Sequence, residues 1–205
     1  MRILPALLSV LLLAACDHGG GGPSHDFGNN DPNVVACVGD SLTQGVNCIG
    51  APYPTRLAAM SGKRVLNFGR HGTVASEGAS TIASALARHP GYVCILFGSN
   101  DAIQDVDYET TRQNIRRIVV ACKNNQSVPL LATPPPMIGH HSLYAGHADR
   151  VAEVIREIAT EQGVTLVDLH AAFGSDPSPY LNPDDGLHLS EAGGDLVAKK
   201  FNAAF

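Results

Sequence analysis

The chain has 205 residues, 14 Lys and Arg against 19 Asp and Glu, a formal net charge of −5 and no tryptophan. No Lys/Arg run interrupts this weakly acidic composition, which excludes a nucleic-acid partner, since that needs a basic patch. The five cysteines contain no Cys-x-x-Cys spacing, which argues against a zinc ribbon or thioredoxin-type chemistry.

Arg2 precedes an apolar run, Ile3 to Ala15, that is shorter than the roughly 20 residues a membrane-spanning helix needs. A charged start, a short apolar core and small residues before a cut read as a secretory signal over residues 1–15. The run ends in Leu13-Ala14-Ala15-Cys16, which resembles a bacterial lipobox and makes Cys16 the expected lipidated first residue. An ordinary signal peptide cut near Ala15 is the alternative. The expected location is the bacterial cell envelope, facing the periplasm and held to a membrane through the lipid. Asp17 resembles an inner-membrane retention signal, a rule that varies between bacteria, so the choice of membrane stays open. Residues 16–32 continue as a glycine-rich stretch almost without large apolar side chains. They read as a tether, with His18 and His25 solvated. The glycines at 19–22 match no phosphate-binding loop, because no Gly-Lys-Ser/Thr follows.

Residues 33–205 are expected to form one domain with no internal repeat. Val34 to Val38 is a β-branched run that stops at Gly39-Asp40-Ser41, as a buried parallel strand does when it presents a side chain at its carboxyl end. That end is where open α/β sheets bind ligands. Ser41 is thus a candidate nucleophile, although an isolated Gly-Asp-Ser is more often a turn or a helix cap. Pro52 to Ser61 carries Tyr53, Leu57 and Met60 at helical spacing, with Gly62 to close it. Arg64 to Phe68 is a second strand. Ser76 to His89 is a small-residue helix that Pro90-Gly91 breaks. Tyr92 to Phe97, the most apolar strand and so the central one, ends at Gly98-Ser99-Asn100-Asp101.

Tyr108 to Asn124 is an amphipathic helix with Ile115, Ile118, Val119 and Cys122 on one face. Val128 to Ala132 is a fourth strand, stopped by Pro134 to Pro136, which cannot donate to a ladder. Ser142 to Gln162 is a helix stopped at Gly163. Val164 to Leu169 is a fifth strand. An irregular stretch, Ala171 to Leu189, precedes a last helix from about Ser190. Alternating strands and helices predict a three-layer α/β/α sandwich on a five-stranded parallel sheet, flavodoxin-like, with right-handed crossovers. Ser41, Gly72, Asn100 and Pro134 to Pro136 then all follow strand ends on one edge.

Asp185-Gly186-Leu187-His188 adds the groups a serine nucleophile needs. Histidine is the usual base near neutral pH, and an acid beside it fixes the tautomer and stabilises the imidazolium. An Asp-x-x-His alone is more often a surface turn. With it, however, the chain resembles a family. Gly39-Asp40-Ser41-Leu42 resembles the first block of the GDSL, or SGNH, hydrolases. Asn67-x-Gly69-x-x-Gly72 resembles the second, Gly98-x-Asn100-Asp101 the third and Asp185-x-x-His188 the last. The blocks occur in order, each after the expected element. The resemblance implies Ser41 as nucleophile, His188 as base and Asp185 as its partner. It also implies an oxyanion hole made by the Ser41 N–H, Gly72 and Asn100. It implies no cofactor and no metal.

One departure is that small esterases and thioesterases of the family often carry Ser-Gly-Asp-Thr at the second block, where this chain has His71-Gly72-Thr73-Val74. That leaves the substrate open. No Gly-x-Ser-x-Gly is present, so an elbow of the other α/β-hydrolases is not supported.

The remaining polar residues receive structural readings. Asp40 holds its loop, Asp101 caps or turns, His71 lines the pocket wall, and His140, His141 and His147 are surface histidines rather than metal ligands. Cys37 and Cys94 lie in apolar runs as small hydrophobes, and pairing among Cys37, Cys48, Cys94 and Cys122 is not readable. The expectation is a monomeric, lipid-anchored esterase taking short-acyl esters or lysophospholipids, with thioesters as a further class. A carbohydrate O-acetylesterase acting on envelope sugars, and a catalytically silent envelope binding protein, are the alternatives.

Overall fold

The computed structural model describes residues 25–205. The expected signal, the expected lipidation site Cys16 and most of the expected tether lie outside them. Five strands, β1 (Asp31–Gly39), β2 (Arg64–Gly69), β3 (Pro90–Leu96), β4 (Val128–Ala132) and β5 (Thr165–Val167), pair in parallel in the order β2-β1-β3-β4-β5. This is the flavodoxin-like order, whose reversal point lies between β1 and β3. Helices α1 (Ser41–Gln44), α2 (Tyr53–Ser61), α3 (Ala75–Leu86), α4 (Ser99–Ile103), α5 (Tyr108–Asn124), α6 (Ala145–Gln162), α7 (Leu169–Ala172) and α8 (Glu191–Asn202) join them.

Both faces of the sheet are buried, which is why the strands read as continuous apolar runs. Ala36, Val38, Val93, Ile95 and Leu131 meet Ile82 of α3, Ile115 and Ile118 of α5, and Val151, Ile155 and Ile158 of α6. On the opposite face Val35, Cys37, Cys94, Leu96 and Leu130 meet Leu42, Tyr53 and Leu57 of the first two helices and Val197 and Phe201 of α8. Each fully buried Ile, Leu or Val contributes roughly 1.5–3 kcal/mol. Gly62 and Gly163 end α2 and α6 in the left-handed conformation, at φ 68° and 59°. Cys37 and Cys94 are register partners on β1 and β3, and both carry free thiols, as do Cys48 and Cys122.

Several element ends differ from the periodicity. The helix before Pro90 ends at Leu86, and Pro90 itself opens β3, two residues before the apolar run at Tyr92. It sits at the first position of the strand, where a missing N–H costs nothing, and its partner there is Asp31. Residues assigned to the tether pack on the domain. Asp31 and Pro32 belong to β1, with a register irregularity before Val35. The Phe27 ring lies 5.4 Å from that of Tyr92, and Asn30 donates to the Asn125 carbonyl at 2.5 Å.

The start of the predicted helix at Ser142 is instead a 3₁₀ segment, Gly139–Tyr144, before α6. The last strand stops at Val167 because Asp168 caps α7, accepting from Ala171 N–H, while Arg156 pairs with its carboxylate at 2.8 Å. The irregular stretch holds one antiparallel bridge, Leu181 to Leu189. That bridge closes the loop on which His188 sits.

Candidate active site

β1 delivers Ser41 to the carboxyl edge of the sheet. Gly39 is crossed so closely that a methyl group there would strike the Leu96 carbonyl and the Thr43 side chain. Asp40 then caps α1, its Oδ1 accepting from Leu42 N–H at 2.9 Å, which leaves Ser41 at the first helical position. N–H groups there have no acceptor within the helix. Ser41 is nearly buried, and its Oγ lies 3.1 Å from His188 Nε2.

His188 arrives from the opposite end of the chain. Asp185 Oδ2 lies 2.7 Å from His188 Nδ1, while Asp185 Oδ1 accepts from the Leu187 and His188 N–H groups, each at 2.9 Å. Burial acts to raise the Asp185 carboxyl. The Leu187 N–H, the His188 ring and the His188 N–H outweigh that and hold it below the ordinary carboxylate value. Gly186 stands in the left-handed region at φ 70°, and a side chain there would strike the Ile138 carbonyl. The loop is braced from the β4 exit, with Ile138 N–H donating to Gly186 O at 3.0 Å and His141 Nδ1 lying 2.8 Å from Asp185 O. Ser41, His188 and Asp185 thus form one hydrogen-bonded chain.

The second and third blocks meet beside it. Gly72 has φ 76°, and a Cβ there would meet nothing within 4 Å, so the residue's conformation requires glycine while the space in front stays open. Gly98 turns the chain at φ 115° into α4, whose first turn carries Asn100. Asn100 Nδ2 donates to Thr73 O at 3.0 Å. A carboxamide nitrogen carries two N–H groups, so one remains for a ligand. A cavity of about 300 Å³ lies on the α3 side of this loop. It is lined by Val38, Phe68, Arg70, Ile82 and Phe97, and it borders Gly39 and Thr73 rather than Ser41 or His188.

The other polar residues fall into place differently. Asp101 is buried and ties three elements together, accepting from Ala75 N–H at 3.0 Å and Thr111 Oγ1 at 3.0 Å. His141 and His147 diverge, one to Asp185 O and the other to Asp105 at 3.2 Å. Among the described residues no group of three His, Cys, Asp or Glu side chains is placed to hold a metal ion. His71 is exposed, and it is its backbone N–H that contributes, donating to Gln44 Oε1 at 2.7 Å. Periodicity and block spacing pointed to neither His141 nor Gln44. Both act through single contacts across loops, which leave no pattern in the sequence.

Asp40 carries a pH signature. Its carboxyl is fully buried, and its Oδ2, like Ser99 Oγ at the start of α4, has no partner among the described residues. Burial, opposed by the Leu42 N–H and reinforced by the nearby Asp101 carboxylate, pushes its pKa from 3.8 up to about 7. Asp101 is raised in the same direction. A raised carboxyl holds its proton more tightly in the folded chain, so its stabilisation is complete below pH 3.8 and is lost as pH climbs toward about 7. At about 1.4 kcal/mol per tenfold change in proton affinity, Asp40 alone accounts for a loss of up to roughly 4 kcal/mol over that window. Asp40→Asn keeps the cap and removes the titration. The Tm of the variant relative to the wild type is therefore expected to rise between pH 4 and about pH 7 and to level off above it. A pH-independent difference would contradict this account.

The model of the GDSL-like Lipase/Acylhydrolase family matches residues 37–196. A curated acetylxylan esterase from Xylanibacter ruminicola is 26% identical over 205 residues, covering 83% of this chain and 42% of that protein. The chain therefore spans less than half the length of this curated relative. A solved structure from Desulfitobacterium hafniense, described as a lipolytic protein of the G-D-S-L family, is 26% identical. It has a TM-score of 0.75 and covers 84% of this chain and 99% of its own. A variant of an acetylxylan esterase from Geobacillus stearothermophilus, 21% identical, shares the fold with a TM-score of 0.69, covering 85% of this chain and 94% of its own. The family match extends from β1 into α8 and takes in every block of the site: the chain belongs to the GDSL-like Lipase/Acylhydrolase family.

Proposed function

We propose that the enzyme removes short acyl groups, acetyl first among them, from carbohydrate esters through a covalent intermediate on Ser41. The observation that carries the mechanism is the continuous hydrogen-bonded chain from Ser41 Oγ through the His188 ring to Asp185. Ser41 Oγ attacks the ester carbonyl while His188 Nε2 takes its proton. Asp185 keeps Nδ1 protonated and stabilises the imidazolium. The carbonyl electrons collapse onto an oxyanion received by the Gly72 N–H, the free Asn100 amide hydrogen and the Ser41 N–H. Collapse of this intermediate expels the alkoxide, which leaves with the His188 proton. Water then repeats the sequence on the acyl-enzyme and releases the acid.

The acetyl–carbohydrate class is supported by the acetylxylan esterases among the relatives. Lysophospholipid is the second reading. It is favoured by Leu143, 82% exposed on the Gly139–Tyr144 segment that also carries His141 to the Asp185 loop. A panel of acetylated xylo-oligosaccharides, p-nitrophenyl esters of increasing acyl length and lysophosphatidylcholine separates them. The expected order of kcat/KM puts acetyl esters first and falls with acyl length. Preference for lysophosphatidylcholine over every acetyl ester would overturn the carbohydrate assignment.

Attachment to an envelope membrane through Cys16 belongs to the same proposal and rests on Leu13-Ala14-Ala15-Cys16. A single acyl chain binds membranes only marginally, so stable anchoring takes more than one. Mass spectrometry of the mature N-terminus is expected to find a multiply acylated Cys16. A chain starting downstream of residue 16, unmodified, would rule the anchor out. Among the described residues no helix is long and apolar enough to cross a membrane.

A further inference from the structure

The Arg70–Val74 loop shows an uneven use of its hydrogen bonds. Arg70 N–H donates to Gly39 O at 3.0 Å and Thr73 N–H to Arg70 O at 3.4 Å. His71 N–H donates to Gln44 Oε1 at 2.7 Å, and Val74 N–H to Glu77 Oε2 at 3.1 Å. Gly72 N–H alone in this run has no acceptor among the described residues. The peptide bond that carries it is flanked by two pinned neighbours. The preceding peptide is held through His71 N–H by Gln44, the last residue of α1. The following peptide is held through Gly72 O, which accepts from Gln104 Nε2 at 3.3 Å, on the residue that ends α4. α1 begins with Ser41, and α4 carries Asn100. The two glutamines thus tie the glycine loop to the two short helices that carry Ser41 and Asn100.

We propose that Gln44 and Gln104 are positioning residues that hold the Gly72 N–H aimed at the developing oxyanion, a role that rests on the reading of Ser41, Gly72 and Asn100 given above. Gly72 sits in the left-handed region, with no Cβ to restrict it, so its two flanking peptides can rotate unless they are held. An oxyanion donor acts only if it points at the oxyanion before the charge develops. Fixing the neighbouring peptides at both ends supplies that preorganisation without placing a side chain in front of the donor. The two residues use opposite chemistry. Gln44 serves as an acceptor, and Gln104 serves as a donor.

This opposition provides the test. Gln44→Met and Gln104→Met keep size and helix preference but remove the bonds. Each is expected to lower kcat about tenfold on p-nitrophenyl acetate with KM unchanged, less than the roughly 10²–10³ lost when an oxyanion donor itself is removed. Gln44→Glu retains an acceptor and is expected to recover most of the wild-type kcat at high salt, where exposed charge is screened. Gln104→Glu sets an acceptor against the Gly72 carbonyl and is expected to stay as slow as Gln104→Met. Tm of each variant is measured alongside, and rates are expressed per folded molecule. Methionine variants that keep wild-type kcat, or glutamates that behave alike at the two positions, would overturn the proposal. Wild-type turnover and fluorophosphonate labelling at Ser41 serve as the reference. If those are absent, the reading of the site itself fails. If they are present and the glutamine variants are unaffected, only the positioning role fails.

Discussion

Ser41→Ala, His188→Ala and the double variant are expected to lose activity to nearly the same extent, on the order of 10⁴–10⁶ in kcat, rather than multiplicatively. The reason is geometric. Ser41 Oγ and His188 Nε2 are 3.1 Å apart, and neither performs its step without the other. An isolated serine hydroxyl is a poor nucleophile at neutral pH, and an isolated imidazole has no proton to take. Removing the second partner therefore costs little once the first is gone. The residual activity measures what the oxyanion donors and binding contribute by themselves. Losses that multiply in the double variant would show that the two residues act in separate steps.

Asn100→Ala is expected to lower kcat by about 10²–10³, roughly 2.7–4 kcal/mol, with KM changed little. Asn100 follows β3 on the sheet edge where Ser41 follows β1, because the two strands are parallel neighbours with Gly39 in register with Leu96. Its amide has one hydrogen committed to Thr73 O at 3.0 Å, which holds it still while the other stays free. The structural alternative is that the Thr73 contact is its whole purpose. In that case the variant would lose Tm and keep its turnover per folded molecule. Measuring kcat and Tm on the same preparations separates the two. A folded variant with near-normal kcat would remove Asn100 from the oxyanion hole.

The parts of this site that were legible in the sequence are those tied to strand ends. Apolar runs stopping at Gly39, Gly69 and Gly98, and the block spacing that follows them, put Ser41, Gly72 and Asn100 on one edge from the sequence alone. Asp185 and His188 were legible because a three-residue spacing across Gly186 lets one loop hold both members of the pair. What escaped lies in contacts without a period. β5 stops early because Asp168 leaves the ladder to cap α7 and meet Arg156. α6 starts late because the chain after Pro136 takes a 3₁₀ path that brings His141 to Asp185 O. Gln44 ends α1 and Gln104 follows directly on α4, helices of four and five residues, too short to show a helical repeat. No helix crosses Pro90, as expected, but the strand starts two residues earlier than its apolar run, at Pro90 itself, since Asp31 lies beside it.

The most direct test of the account is to treat residues 25–205 with a fluorophosphonate and map the adduct by mass spectrometry, in the wild type and in Ser41→Ala. The account predicts one stoichiometric adduct, on Ser41, that Ser41→Ala abolishes. An unlabelled wild type, or an adduct on any other serine, would contradict it.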